Sequence, residues 1–404
     1  MGQRIFFSVG EPSGDQHAAR LCRALRALDP ECQLRGFGGP RMAAAGCQLD
    51  HDLTTLAVMG IVEVLPKLRE FRQLAAQAEE CFRRGEVDQV VMVDFPGFNW
   101  HIAKRARRAG LPVTYYCPPQ LWAWAPWRVR KLRRTVDRVL CVLPFEYQWY
   151  RERGVEAQYV GHPFFDSVTD QTLDRDLITD CQNVRDSGHP LVAVLPGSRD
   201  HEVQNNWPQL IQIIRRISAQ HPSARFRVAA YKPEHAELCR RWWNAAIGGP
   251  TTSVEFYSGR TSELIAAADC AVMVSGSVSL EFLARGTPAV VIYHMGRVLY
   301  TLGRMLVRVR SITLPNLMAE RLLMPEFISV GSETNCIEGA CGVLDQWLSQ
   351  PAALAAARRE LQSAAQKLAQ PGATAAAARW VMSAGANRGA VDHVVPRRSD
   401  GRAA

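Results

Sequence analysis

The chain has 404 residues, 47% hydrophobic and 22% charged, which excludes a disordered or low-complexity protein and exceeds what one core usually holds, so two domains are expected. Lys and Arg (48) outnumber Asp and Glu (39), and the resulting +9 favours an anionic partner: a nucleotide, a phospholipid surface or nucleic acid. Eleven cysteines without a CxxC pair, several in apolar runs (Cys141, Cys270), suit reduced core thiols better than disulfides or zinc.

The first apolar run meets Glu11 and Asp15 at once, so it reads as a β-strand rather than a signal segment, and a cytoplasmic protein is expected. No stretch reaches the length of a membrane span; the longest, 271–293, carries Glu281 and Arg285, leaving only peripheral membrane contact.

In chain order, β-branched runs alternate with helical periodicity, the pattern of parallel α/β construction. Strands are predicted at 5–9, 33–37, 89–93, 113–116, 139–142 and 158–160, then at 191–195, 225–230, 253–257, 270–274 and 289–293. Ala18, Leu21, Cys22, Leu25 and Leu28 recur at helical spacing after the first strand. Two doubly wound units follow, over residues 1–165 and 187–370, joined where strand signals lapse between Gly161-His162-Pro163 and Gly188-His189-Pro190. An Ala-rich helix is predicted at 351–370. A last one at 373–384 is expected to complete the first unit, and 387–404 reads as a flexible tail.

Ligands of such folds sit at the carboxyl ends of strands, here also in a cleft between the units. The apolar strand 90–93 runs into Asp94, then Phe95-Pro96-Gly97-Phe98-Asn99; an acid there is costly unless paired or used, so Asp94 either caps the Pro96 turn with Asn99 or does chemistry. Gly10-Glu11-Pro12-Ser13-Gly14-Asp15 joins a strand to a helix with free amides, as a binding loop or an ordinary βα turn would. Gly36-Phe37-Gly38-Gly39-Pro40 lacks the full GxGxxG spacing, which disfavours a dinucleotide site.

In the second half, Leu195-Pro196-Gly197-Ser198-Arg199 places a turn, a hydroxyl and a guanidinium suited to a diphosphate. Ser275-Gly276-Ser277 offers amides to phosphate, and Glu281 could accept both hydroxyls of a ribose. A capped helix would explain either alone; on strands of one unit they favour a nucleotide diphosphate.

Two basic segments carry large apolar residues. Trp122-Ala123-Trp124-Ala125-Pro126-Trp127 precedes the basic run 128–134, read as a solvated face or a lipid-phosphate contact ahead of nucleic acid. Residues 297–310, with Leu299, Leu302 and Leu306, suit an interfacial helix or a buried one with snorkelling arginines.

Taken together, several stretches resemble one family, the lipid-A-disaccharide synthases, glycosyltransferases of the GT-B type. The matching stretches are 10–15, Gly38-Gly-Pro-Arg-Met42, 56–65, 94–99, Trp122-Ala-Trp124, Leu143-Pro-Phe-Glu146, Gly161-His-Pro163, 195–199 with Glu202, Ser275-Gly276 with Leu280-Glu281, and Leu314-Pro-Asn-Leu317, collinear over residues 5 to 330. The resemblance implies two Rossmann-like domains facing a cleft, the first binding acceptor and the second UDP-sugar. It also implies the reaction: an inverting transfer joining UDP-2,3-diacylglucosamine to 2,3-diacylglucosamine 1-phosphate (lipid X), releasing UDP and forming the β-1,6-linked lipid A disaccharide 1-phosphate of lipopolysaccharide biosynthesis.

By the same resemblance Asp94 matches the proposed catalytic base and Arg199 the residue that serves UDP. Asn316 matches another site residue, and Glu11, Ser13, Asn99 and Glu202 are further candidates. The chain departs from the family at Gly97, where a second acid is usual, and at Cys117-Pro118-Pro119-Gln120, where a serine-rich turn is usual.

The residues agree with that chemistry. An inverting transfer needs a base for the acceptor hydroxyl and stabilisation of the leaving diphosphate. Asp94 can be the base, and Arg199 with Ser198 and the Ser275 to Ser277 amides the stabiliser. The Asp-x-Asp strings at 50–52 and 174–176 follow none of the nucleotide-site strands, so metal-free transfer without a cofactor is expected.

Acyl chains need an apolar entrance beside a basic rim, for which Val58, Met59, Val62 and Leu65, or the 297–310 segment, are candidates. The expected partners are the two lipid substrates and the anionic inner face of the cytoplasmic membrane, without nucleic acid; a homodimer is allowed. The rivals are another UDP-sugar enzyme, an epimerase or an N-acetylglucosaminyl transferase, and a non-catalytic protein binding lipid or nucleic acid.

Overall fold

A computed structural model describes residues 2–57, 68–247, 253–296 and 311–386. The chain divides into two compact units, the first from Met1–Pro163 with the segment after Gly372, the second Phe164–Pro371.

The first unit is built on seven parallel strands: β1 (Arg4–Val9), β2 (Gln33–Gly38), β3 (Gln48–Asp52), β4 (Gln89–Val93), β5 (Val113–Tyr116), β6 (Arg138–Cys141) and β7 (Ala157–Tyr159). Their order is β3-β2-β1-β4-β5-β6-β7, so the winding reverses between β1 and β4. All five residues of β4 are buried, as a central strand covered on both faces requires. Phe6 meets Phe37 and Phe82 edge-on, with ring centroids 5.2 and 5.1 Å away, and fixes helix against sheet.

The second unit has six parallel strands: β8 (Leu191–Leu195), β9 (Arg225–Ala230), β10 (Val254–Ser258), β11 (Cys270–Val274), β12 (Ala289–Met295) and β13 (Glu326–Val330), in the order β10-β9-β8-β11-β12-β13. Here the reversal falls between β8 and β11. Trp207, fully buried in the Asp200–Gln220 helix, donates its indole N–H to the Cys239 carbonyl (3.1 Å) and ties that helix to its neighbour.

Two strands escape sequence prediction, β3 and β13. Both are edge strands with partly exposed residues (QLDHD and EFISV), so neither reads as a continuous apolar run. A register shift at Gly36/Phe37 further disguises the β2–β3 pairing.

The stretch read as a join is helical, at Pro163–Thr169 and Arg175–Asp186. Asp174 caps the second helix by accepting from the Asp176 and Leu177 N–H groups, and Arg227 of β9 reaches Asp180 (2.5 Å), so this helix packs within the second unit. The Asp-x-Asp strings thus have structural work: Asp50 pairs with Arg35 (2.9 Å), and Asp52 accepts from the Thr54 hydroxyl (2.6 Å).

The Ala373–Ala386 helix lies on the first unit. Gln3 donates to the Met382 carbonyl (2.8 Å), Gln89 to that of Val381 (3.2 Å), and Arg138 to that of Trp380 (3.0 Å). Among the described residues no helix is long and apolar enough to cross a membrane.

Candidate active site

The β1–β4 reversal is the usual ligand position of such sheets, at the carboxyl ends of two adjacent strands. β4 ends in two consecutive non-glycine residues in the left-handed region, Asp94 (φ 49) and Phe95 (φ 46), and β5 ends in a third, Cys117 (φ 51). Among the described residues only Glu320 is another such case, so the strain is concentrated at these neighbouring strand ends.

Three strands hold it in place. Asn99 donates to the Asp94 carbonyl (2.7 Å) and the Ser8 carbonyl (3.2 Å), accepts from the Ser8 hydroxyl (2.6 Å), and Tyr115 donates its hydroxyl to the same Asp94 carbonyl (2.8 Å). Gly10 admits the Phe95 ring, because a Cβ there would lie 2.2 Å from it. Asn99 is therefore a buried brace whose amide is engaged by the protein, whereas Asp94, at the end of β4, is half-buried.

Burial raises the Asp94 carboxyl above its usual range, opposed by the Phe95 N–H and by a hydrogen bond with the Glu11 side chain. The Glu11 contact favours ionised Asp94. Ser13 is exposed in the first turn of the Pro12–Leu28 helix, whose N-cap Glu11 makes no side-chain cap bond. Asp15, in the same helical turn, is a clamp: it accepts from the Gly39, Arg41 and Met42 N–H groups, each 3.0 Å away, and ties the Gly38–Met42 stretch to that helix. Position 97 is open, with nothing within 4 Å of where a Cβ would stand.

At the end of β6, Glu146 is buried and accepts from the Trp122 indole (2.9 Å) and the Val142 and Leu143 N–H groups (3.2 and 3.1 Å). Burial pushes this carboxyl up to about 7, against those bonds. Two of the matching stretches thus meet in one contact, fixing the segment after β5.

In the second unit Gly197 (φ 121) turns the chain at the end of β8. Glu202 accepts from the Ser198 N–H (3.0 Å), the Arg199 N–H (3.2 Å) and the Arg199 guanidinium (2.8 Å). Burial pushes Glu202 up, but these bonds hold it below its usual value, so it is an anionic staple of the turn. The Arg199 side chain is 70% exposed and reaches outward.

After β11 the Ser275 N–H is used by the Ile292 carbonyl (3.2 Å), and the exposed Gly276 and Ser277 lead into the Ser279–Arg285 helix. The Ser275 amide is thus engaged between β11 and β12. Glu281 is buried and paired through Oε1 with Arg285 (2.8 Å).

Asn316 is committed internally, donating to the Met324 carbonyl (2.8 Å) and Glu326 (2.7 Å) and accepting from the Leu323 and Met324 N–H groups (2.7 and 2.9 Å). It is a staple of the 312–326 loop. Asn316→Ala is expected to cost about 3 kcal/mol, since buried backbone groups lose their partners; urea unfolding measures this, and a loss under about 1 kcal/mol would deny the staple.

The structure thus gathers Glu11, Asp94 and Asn99 at one strand edge of the first unit, and Ser198, Arg199, Glu202, Ser275 to Ser277 and Glu281 at the strand ends of the second. Sequence reasoning missed Ser8 and Tyr115 as supports of Asp94, and the link between Glu146 and Trp122; neither leaves a local signal. Val58, Met59, Val62, Leu65, Leu299, Leu302 and Leu306 lie outside the described residues.

The lipid-A-disaccharide synthetase family model matches residues 5–372. The lipid-A-disaccharide synthase of Myxococcus xanthus is 37% identical over 80% of this chain and 83% of its own, and that of Alkalilimnicola ehrlichii 36% over 80% and 85%. Among solved structures, the UDP-GlcNAc 2-epimerase of Neisseria meningitidis bound to UDP-GlcNAc aligns with a TM-score of 0.57 at 10% identity (94% of this chain, 99% of that one). MurG of Acinetobacter baumannii aligns at 0.58 and 13% (94% and 99%); both likenesses concern the GT-B fold alone. With its collinear match over nearly the whole length, the chain belongs to the lipid-A-disaccharide synthase family.

Proposed function

We propose that this protein is the inverting hexosyltransferase that joins UDP-2,3-diacylglucosamine to 2,3-diacylglucosamine 1-phosphate, releasing UDP and forming the β-1,6 disaccharide of lipid A. Beyond family membership, the observation that carries this reading is Asp94, half-buried with its backbone in the left-handed region, held at the β1–β4 strand ends beside Glu11. Asp94 takes the proton of the acceptor hydroxyl as that oxygen attacks the anomeric carbon. Arg199 and the amides of the 276–277 turn stabilise the departing UDP diphosphate. Asn99, Glu202 and Asn316 position these groups rather than touch substrate, and Glu281 is the ribose candidate.

The two acylated substrates imply peripheral contact with the anionic inner face of the cytoplasmic membrane. The test is UDP release from UDP-2,3-diacylglucosamine with and without the acceptor. Acceptor-dependent release supports the reading, whereas release without acceptor, or none from folded protein that binds UDP, assigns the site to another reaction.

Removing Glu11 takes away a bond that favours ionised Asp94. Glu11→Ala therefore raises the Asp94 pKa further, and because the base must be ionised, activity is lost at a higher pH on the acid side. The acid limb of the kcat/KM profile is expected to move upward, and an unmoved limb would uncouple the two acids.

Glu11 also supplies the second carboxyl that Gly97 lacks. Gly97→Asp fits the open space and places an acid in the first turn of the Pro96–Arg108 helix, so stability is expected to rise by about 0.5 kcal/mol with turnover nearly unchanged. A tenfold or greater rise in kcat would mean that position 97 needs its own acid.

A further inference from the structure

Residues 96–136 contain nine lysines and arginines and no aspartate or glutamate, while the rest of the chain balances 39 cations against 39 acids. The whole formal charge of +9 is thus concentrated in one segment, which folds into neighbouring elements of the first unit: the Pro96–Arg108 helix, the Leu121–Trp124 and Pro126–Arg128 turns, and the Val129–Thr135 helix.

Val129 and Leu132 face the core, and Arg130, Arg133 and Arg134 stand exposed on the other side of their helix. Arg105 pairs with Glu79 and Arg107 with Asp137; among the described residues no carboxylate pairs with Lys104, Arg108, Arg128 or the three exposed arginines. The crowding is felt locally. Burial lowers the Lys131 and His101 pKa values, and neighbouring cations lower both further.

Two tryptophans rim this face, Trp127 (61% exposed) and Trp124 (38%). The Trp124 ring already carries Arg128 at 4.8 Å from its centroid, so it is engaged by the protein's own cation rather than presented for base stacking, and the buried Trp100 ring carries Lys131 at 5.1 Å. Exposed indoles among unpaired cations suit the headgroup layer of an anionic bilayer.

We propose that this basic face of the first unit is the surface that docks on anionic phospholipid. The proposal rests on the reading of the protein as an enzyme of acylated substrates. It puts the contact on the flank that begins at Asp94, with the Trp122–Glu146 contact fixing the indole segment to the end of β6.

The test is flotation of the full chain with phosphatidylglycerol–phosphatidylethanolamine vesicles and with phosphatidylcholine vesicles, alongside an oligonucleotide at the same ionic strength. Wild type is expected to bind the anionic vesicles, and to release them as salt rises. A variant combining Arg130→Ser, Arg133→Ser and Arg134→Ser is expected to bind about a hundredfold more weakly, about fivefold per cation. Trp127→Ser weakens binding without changing its salt dependence.

Both variants are expected to keep their melting temperature and their acceptor-dependent UDP release on short-chain substrates. Undiminished vesicle binding by the triple variant, equal binding of wild type to neutral vesicles, or preference for the oligonucleotide would each overturn the proposal. Absence of UDP release from wild type, with vesicle binding still lost in the variant, would overturn the enzymatic reading and leave the docking surface standing.

Discussion

Asp94→Ala is expected to lower acceptor-dependent UDP release by about 10² to 10⁴-fold while UDP still binds, the scale of a missing general base. Asp94 sits at φ 49, where aspartate and asparagine are tolerated better than alanine, so the alanine variant also carries backbone strain of about 1 kcal/mol. Asp94→Asn separates the two effects. It keeps the left-handed preference and the side-chain shape, and removes only the capacity to take a proton. Both variants should lose turnover alike, with the asparagine form closer to wild type in melting temperature. Normal turnover in Asp94→Asn would take Asp94 out of the mechanism and leave its strained turn as a structural feature held by Asn99 and Tyr115.

What the sequence reveals follows from what is local. β4 carries four buried apolar residues in succession after Gln89 and β8 five, so both are visible as strands, and the residues that follow them are visible as site candidates. β3 and β13 are edge strands, each paired with one neighbour only, and their half-exposed residues carry no period.

The same division runs through the site. Asp94 and Arg199 stand out because an acid or a guanidinium at a strand end is locally unexpected. The roles of Asn99, Glu202 and Asn316 are not legible, because a site amide or acid and a brace have the same letters. Only the partners tell them apart: Asn316 is held by Leu323, Met324 and Glu326, and Asn99 ties Ser8 of β1 to the Asp94 carbonyl, which also accepts from Tyr115 of β5. The proximity of Glu11 to Asp94 is a product of strand order, since β1 and β4 are neighbours only because the winding reverses there.

Arg199→Ala is expected to leave the fold intact and lower kcat by about 10² to 10³-fold, the loss seen when one donor to a developing anion is removed. The fold is spared because the Arg199 guanidinium makes an exposed pair with Glu202, three residues along the same helix entry, and such pairs contribute little. Glu202 keeps the Ser198 and Arg199 backbone N–H groups in the variant, so the turn at Gly197 stands without the side chain. Arg199→Lys restores the charge but not the planar fork, so only partial recovery is expected if the arginine grips the diphosphate through two hydrogen bonds. Full recovery by lysine would mean that a point charge is enough. A loss below about tenfold in Arg199→Ala, with UDP affinity unchanged, would move the diphosphate away from the end of β8 and toward the amides after β11.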